Sequence, residues 1–374
     1  MDFSKLDQYL EAMPQRGIPA CELAVTRDGE RIYRKSVGFS DFEGKRPTSE
    51  NDLYWIFSAS KIITCIAAMR LVEEGKLSIT DPVSKFVPEF AQVKVRRADG
   101  SITPAENVMT VEHLFTMSGG MTYDLDYKAI AAERVMSAMG FARFMAATPL
   151  VFEPGTHYRY SLCHDVLAAI VEIVSGMRFS EYLKKYIFEP LGVKDMGFFP
   201  NEEQRERFSA NYRYKNGTAS VEPKEIKTIP FAFSREFESG GAGLFASVDD
   251  YMKIITAIAC GGTAKNGYRL LKPETIKMMQ KNLLGDDSLN DFVKTRLYGY
   301  GWGLCGRVHM NPVMSGSKTP VGEFGWDGAA GAFVLIDPEN RIAIYYAQQV
   351  ERCDYIYHIG HHRIKDLVYE ELLK

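Results

Sequence analysis

The chain has 374 residues, with 45 Lys and Arg against 48 Asp and Glu for a net charge of −3, and 46% of its residues are hydrophobic. That length supports a large core, in two lobes or one large domain, and the balanced charge without charge blocks gives no reason to expect nucleic acid or an anionic membrane as partner. No run approaches the ~18 apolar residues of a membrane span, and residues 1–6 lack the basic and apolar regions of a secretory signal, so the sequence reads as cytoplasmic.

In chain order, residues 3–13 place Phe3, Leu6, Tyr9, Leu10 and Met13 at helical spacing. Residues 21–26 and 31–37 alternate around Asp28-Gly29, a hairpin signal. A helix is expected from Ser58 to Glu74, ended by Gly75 as C-cap. From residue 80 to about 230 the texture becomes helical runs joined by Pro and Gly, with helices expected over 111–117, 129–147, 164–175 and 180–188. Ser247 caps a helix over 248–260, with Asp249 and Asp250 in its first turn. A second hairpin joins 331–336 to 341–347, and a helix over 356–373 closes the chain. Strands at both ends with helices between them predict an α/β (α+β) architecture: residues 1–85 and 236–374 form one α/β domain, interrupted by a mostly helical insert over 86–235. The six cysteines are scattered without Cys-x-x-Cys pairs and read as reduced structural thiols.

The chemistry starts at Ser58-Ala59-Ser60-Lys61, at the head of an apolar helical run. A serine three residues before a lysine puts hydroxyl and amine on one face of one helical turn, the arrangement of a Ser-x-x-Lys nucleophile. A lysine amine titrates near ~10.4 in water, so a role in proton transfer at neutral pH asks for a buried or cation-rich setting, which the apolar flank provides. The helix N-terminus also directs a backbone N–H and the positive dipole end toward a developing oxyanion. A second proton-carrying group is expected, and Tyr160 is the best candidate, at a loop-to-helix junction just before the helix over 164–175.

With those residues in place, the order Ser58-Ala59-Ser60-Lys61, Tyr160-Ser161-Leu162 and Gly325-Trp326-Asp327-Gly328 resembles the serine β-lactamase and penicillin-binding protein superfamily. It is most similar to the class C β-lactamase-like branch, which includes family VIII carboxylesterases, DD-peptidases and D-aminopeptidases. Further matching segments lie at 19–25, 114–120, 189–192, 239–244 and 337–339, so the resemblance covers roughly residues 19–350. It implies a β-lactamase/transpeptidase-like fold, with an antiparallel sheet flanked by helices plus an all-helical domain. It also implies Ser58 as acylated nucleophile, Lys61 as its proton partner and Tyr160 as general base and acid. The backbone N–H groups of Ser58 and Ala329 would form the oxyanion hole. No cofactor or metal is expected, and the partner is a small ester, amide or β-lactam.

Two departures narrow the substrate. Leu162 replaces the asparagine of the family's Tyr-x-Asn, removing an amide that holds acylamido side chains. Trp326-Asp327-Gly328 replaces Lys-Thr-Gly, removing a cation that would pair with a substrate carboxylate and introducing an anion. Both argue against penicillins and D-Ala-D-Ala peptides and toward uncharged or amine-bearing esters and amides. A β-lactamase or D-amino-acid peptidase and a catalytically silent binding protein are the alternatives.

Cys163-His164-Asp165 has the residue types of a cysteine triad, but sequence neighbours point in different directions, so His164 and Asp165 are expected to support the loop bearing Tyr160. His358, His361 and His362 have helical spacing without a matching ligand set, and read as a helix end whose histidines contact substrate only if it lines the cleft. The segments 121–127 and 298–303 are aromatic and glycine-rich, as expected of loops rimming a pocket or equally of core or rim tyrosines in a sheet, with Tyr123 and Trp326 as candidate substrate walls.

Overall fold

The first hairpin forms where the alternation places it, from β1 (Ala20–Arg27) and β2 (Glu30–Gly38). Asp28 and Gly29 join them at φ 53° and 83°, the left-handed pair that a two-residue turn of this twist requires. The computed structural model describes all residues except 126–129, 131–136, 216–219, 227–233 and 235. The expected segments reaching into 126–127, 129 and 131–136 therefore lie partly outside the described residues.

The hairpin joins a seven-stranded antiparallel sheet with β3 (Tyr300–Gly303), β4 (Gly306–His309), β5 (Phe324–Gly325), β6 (Phe333–Asp337) and β7 (Ile342–Gln348), in the order β3-β4-β5-β6-β7-β1-β2. The centre of the sheet is buried on both faces, which explains its near-continuous apolar runs. Leu23, Val25, Ile344 and Tyr346 face one core with α1 (Ser4–Glu11) and the C-terminal helix. Ala24, Ala343, Tyr345 and Ala347 face the main core. There the chain's central helix, α2 (Ser60–Glu73), is buried from Ser60 to Met69, as expected for a helix that is apolar all round.

Around α2 lie α3 (Ala138–Ala147), α4 (Cys163–Ser175) and α5 (Val248–Ala259). Ser137 caps α3 and Ser247 caps α5 through side-chain oxygens that accept from Gly140 and Asp250 N–H. Tyr251 of α5 stacks on Tyr345 of β7 at 4.3 Å. Residues 356–373 begin with a wide π turn, Ile356–Gly360, before α6 (His361–Leu372). A similar turn, Lys184–Phe188, interrupts the helix expected over 180–188.

Of the two readings of 298–303, the sheet holds and the rim loop does not: Tyr300–Gly303 is the edge strand β3 and Trp302 is wholly buried. Its glycines conceal the strand, and they are needed because neighbours crowd in: a Cβ on Gly301 would meet the Asn282 amide oxygen at 2.2 Å. Among the described residues no helix is long and apolar enough to cross a membrane.

Candidate active site

Ser58 sits in a 3₁₀ turn, Phe57–Ala59, that runs directly into α2. Phe57 adopts φ 47°, a left-handed conformation that costs a bulky residue on the order of 1–3 kcal/mol and persists only where surroundings enforce it. The surroundings are specific. Ile56 N–H donates to Leu244 O at 3.1 Å, and Leu244 N–H donates to Ser60 Oγ at 3.1 Å. Tyr251 OH donates to Ala59 O at 2.8 Å, and Thr64 Oγ1 donates to Gly240 O at 2.7 Å. The glycine-rich loop 239–244 is thereby laced to the head of α2.

Lys61, 1% exposed, is held on three sides: its Nζ donates to Gly241 O at 2.6 Å, to Tyr123 OH at 3.2 Å and to Ser58 Oγ at 3.4 Å. The ammonium also lies 4.8 Å from the centre of the Tyr160 ring, within cation–π range. Tyr123, expected as a substrate wall, is instead a partner of the lysine.

Asp165 orders this arrangement from behind. Its Oδ1 accepts from Ser239 Oγ at 2.5 Å and from Gly241 N–H at 3.1 Å, and the same glycine's carbonyl receives Lys61. Burial pushes the Asp165 carboxyl upward, against the opposing pull of Lys61. A side chain on Gly241 would drive into Asp165 Oδ2 at 2.4 Å, so only glycine fits. Asp165 thus supports the loop at 239–241 rather than the Tyr160 loop. His164 is also buried, its Nε2 3.1 Å from Phe115 O, and burial together with the Lys61 charge depresses it to about 3, so it stays neutral. Cys163, His164 and Asp165 each engage a different partner. Asp165→Ala strands two buried donors, and should cost about 2–4 kcal/mol in denaturant unfolding while lowering kcat about tenfold to a hundredfold with KM little changed.

Tyr160 OH accepts from Trp326 Nε1 at 2.9 Å. Its ring is braced by Tyr123 at 5.8 Å, Trp326 at 5.3 Å and Trp302 at 6.0 Å, and Trp302 meets Trp326 edge-on at 4.5 Å. Ser58, Tyr160, Trp326, Asp327, Gly328 and Ala329 line one cleft of about 300 Å³, closed on its far side by Leu297, Tyr357, His358 and His362. Gly328 lies so close to the segment leading into Ser58 that a Cβ there would meet Ile56 O at 2.4 Å.

Two expectations about this cleft change. Leu162 is 2% exposed and packs in the main core, off the cleft wall, because it leads directly into the buried start of α4. Asp327 lines the cleft but is not a free anion: its carboxylate faces Arg307 Nη1 at 3.4 Å and His361 Nδ1 at 3.6 Å. Burial pulls this carboxyl up, but His361 and Arg307 outweigh it and hold it below the ordinary value. Its charge is compensated from within, so an amine on the substrate gains little from it. Of the three C-terminal histidines, His358 and His362 reach the cleft while His361 is buried against the 326–331 turn. Burial lowers His362 to about 4.

A larger cavity, about 660 Å³, lies between the Asp28-Gly29 turn and α5. Its charged walls are already paired, Arg341 with Asp28 at 2.9 Å and Lys265 with Glu30 at 2.7 Å, and it contains neither Ser58 nor Tyr160. Ser58 and Tyr160 both line the smaller cleft.

Known proteins agree with this architecture. The Beta-lactamase family model matches residues 6–352. Esterase EstB of Burkholderia gladioli is 31% identical over 363 residues, covering 89% of this chain and 87% of EstB. Acyltransferase calJ of Penicillium decumbens is 28% identical, covering 88% of this chain and 83% of calJ. Among solved structures, EstCE1, described as a hydrolase with promiscuous acyltransferase activity, superposes with a TM-score of 0.82 at 24% identity, over 98% of both chains, a likeness of fold. The chain belongs to the Beta-lactamase family, on the esterase-like branch of the serine β-lactamase and penicillin-binding protein superfamily, and is a hydrolase of that fold.

Proposed function

We propose that this hydrolase cleaves small esters or amides with uncharged acyl groups through an acyl-enzyme on Ser58. The observation that carries the reading is the buried Lys61 ammonium, shared between Ser58 Oγ and Tyr123 OH and lying against the Tyr160 ring. That charge favours negative charge on the serine and tyrosine oxygens in a water-poor site. Ser58 Oγ adds to the substrate carbonyl carbon as its proton passes to Tyr160, and the carbonyl oxygen takes the negative charge facing the N–H groups of Ser58 and Ala329. Collapse of the adduct breaks the bond to the leaving group, which takes its proton from Tyr160. In the second half-reaction Tyr160 accepts a proton from water as the water oxygen attacks the acyl carbon, and Ser58 leaves with that proton. The name of EstB supports ester substrates.

The cleft supports an uncharged acyl group. Trp326 stands where the family's lysine would meet a carboxylate, and the Arg307 guanidinium, 3.4 Å from the adjoining Asp327, offsets its charge. A panel of p-nitrophenyl esters, nitrocefin and D-Ala peptides tests the reading. Short uncharged esters should exceed nitrocefin in kcat/KM by about a hundredfold or more, in keeping with the cost of an unmatched charge in a cleft. Fluorophosphonate labelling followed by peptide mapping should place the adduct on Ser58. Faster turnover of nitrocefin or of D-Ala peptides would favour the β-lactamase or peptidase alternative, and an adduct on Ser60 or Ser161 would move the nucleophile.

A further inference from the structure

Tyr357 lies outside every motif of the nucleophile's neighbourhood, in the π turn Ile356–Gly360 that leads into α6. Its hydroxyl donates to the carbonyl oxygen of Gly328 at 2.7 Å. That carbonyl and the N–H of Ala329 belong to one planar peptide unit and point in opposite directions. Holding the oxygen therefore aims the N–H. The same oxygen accepts from Gly331 N–H at 2.8 Å, and each bond received there polarises the peptide and strengthens its N–H as a donor.

The rest of the turn is held in the same way. His361, four residues after Tyr357, has Nε2 3.1 Å from Gly331 O, so that nitrogen carries the proton and donates. Its ring stacks on Phe333 at 4.8 Å, and Tyr357 packs edge-on against it at 5.4 Å. Ala330 O accepts from Val350 N–H at 3.0 Å, and the opposite side of Gly328 presses on Ile56 O. Two hydrogen bonds thus act on the Gly328 carbonyl itself, and the contacts at Gly331, Ala330 and Ile56 hold the rest of the turn that lines the cleft with Ser58.

We propose that Tyr357, backed by His361, is a positioning residue of the oxyanion hole: it sets the plane of the Gly328–Ala329 peptide through the carbonyl side and so aims the Ala329 N–H at the developing oxyanion. This rests on the reading of Ser58 and Ala329 given above. Burial holds the Tyr357 phenol well above its ordinary value, so it remains a donor across the working pH range.

The experiment compares the wild-type chain with Tyr357→Phe, His361→Ala, His361→Gln and Ser58→Ala. The readouts are p-nitrophenyl butyrate kinetics, thermal unfolding, and the affinity of an arylboronic acid, whose tetrahedral adduct with a serine hydroxyl places an oxygen in the oxyanion hole. Tyr357→Phe should lower kcat about tenfold to a hundredfold with KM within twofold, because the donor remains but loses its aim. Boronate affinity should fall in the same proportion. His361→Ala should act in the same direction, and His361→Gln, whose amide can still donate to Gly331 O, should recover most of the loss. A Tyr357→Phe enzyme with kcat and boronate affinity both within twofold of wild type overturns the proposal, as does a change confined to KM, which would make Tyr357 a substrate contact. If Tyr357→Phe does not fold, the His361→Ala and His361→Gln pair decides by the same two readouts. Wild-type turnover by Ser58→Ala would instead overturn the reading of the nucleophile itself.

Discussion

Ser58→Ala should reduce ester turnover by about 10⁴-fold or more and leave the fold intact, as loss of a serine nucleophile does when only binding and oxyanion stabilisation survive. The structure separates these two effects. Ser58 is half-buried, and the hydrogen bond its hydroxyl accepts from Lys61 is long at 3.4 Å. The nucleophile turn itself is held by groups the substitution does not touch: the Ile56–Leu244 backbone pair, the Tyr251 hydroxyl on Ala59 O, and the Ser60 hydroxyl. Unfolding free energy should therefore change by less than about 1 kcal/mol, a surface-like value. Kinetics with p-nitrophenyl butyrate and a urea unfolding curve, measured on the same preparation, check both halves. A variant that loses activity only in step with its stability would contradict this account.

Lys61→Met should be nearly as damaging to turnover, lowering kcat about 10³-fold, in the range expected when proton transfer and charge stabilisation are lost together. Methionine keeps the length and the apolar stem of lysine, so the change isolates the ammonium. Its removal leaves the Gly241 carbonyl without a buried donor, which costs about 1–3 kcal/mol, while the relief of a buried charge offsets part of that. Stability should thus shift little, in contrast with Asp165→Ala, which strands two buried donors, more than the relief of its buried carboxylate offsets. Fluorophosphonate labelling distinguishes the two causes of lost activity. Lys61→Met should slow labelling of Ser58 in parallel with kcat, because the serine oxygen loses the charge that favours its ionised form. Labelling at the wild-type rate would mean that Lys61 acts only after acylation.

Much of the fold could be read from local pattern. The alternation around Asp28-Gly29, the cap at Ser247, the left-handed C-cap at Gly75 and the second hairpin are encoded within a few residues each, by side-chain period and turn chemistry. Pattern failed where tertiary packing overrides it. Tyr300–Gly303 reads equally as a loop or a sheet segment because its glycines weaken the strand signal, yet those glycines are required by neighbours that come from Asn282 and Lys281.

The site divides along the same line. Ser58 and Lys61 could be paired from sequence because one helical turn joins them, and Tyr160 and Trp326 could be added because their motifs arrive in a known order. The substrate-facing inferences depended on which way side chains point. Leu162 turns into the core, and the Asp327 charge is answered by Arg307 from the strand Gly306–His309. Tyr123, expected as a substrate wall, accepts a hydrogen bond from Lys61, and Tyr357 reaches a carbonyl of the 326–331 turn.

By itself, then, the sequence determined the family and set the proposed nucleophile and its lysine on one helical turn, because each is a short-range arrangement of residue types. Only the tertiary structure decided which charges in the cleft are free, what holds Lys61 in place and what aims the Ala329 N–H. Electrostatic compensation and hydrogen-bond geometry are set by distances in space between residues far apart along the chain, and no local pattern carries them.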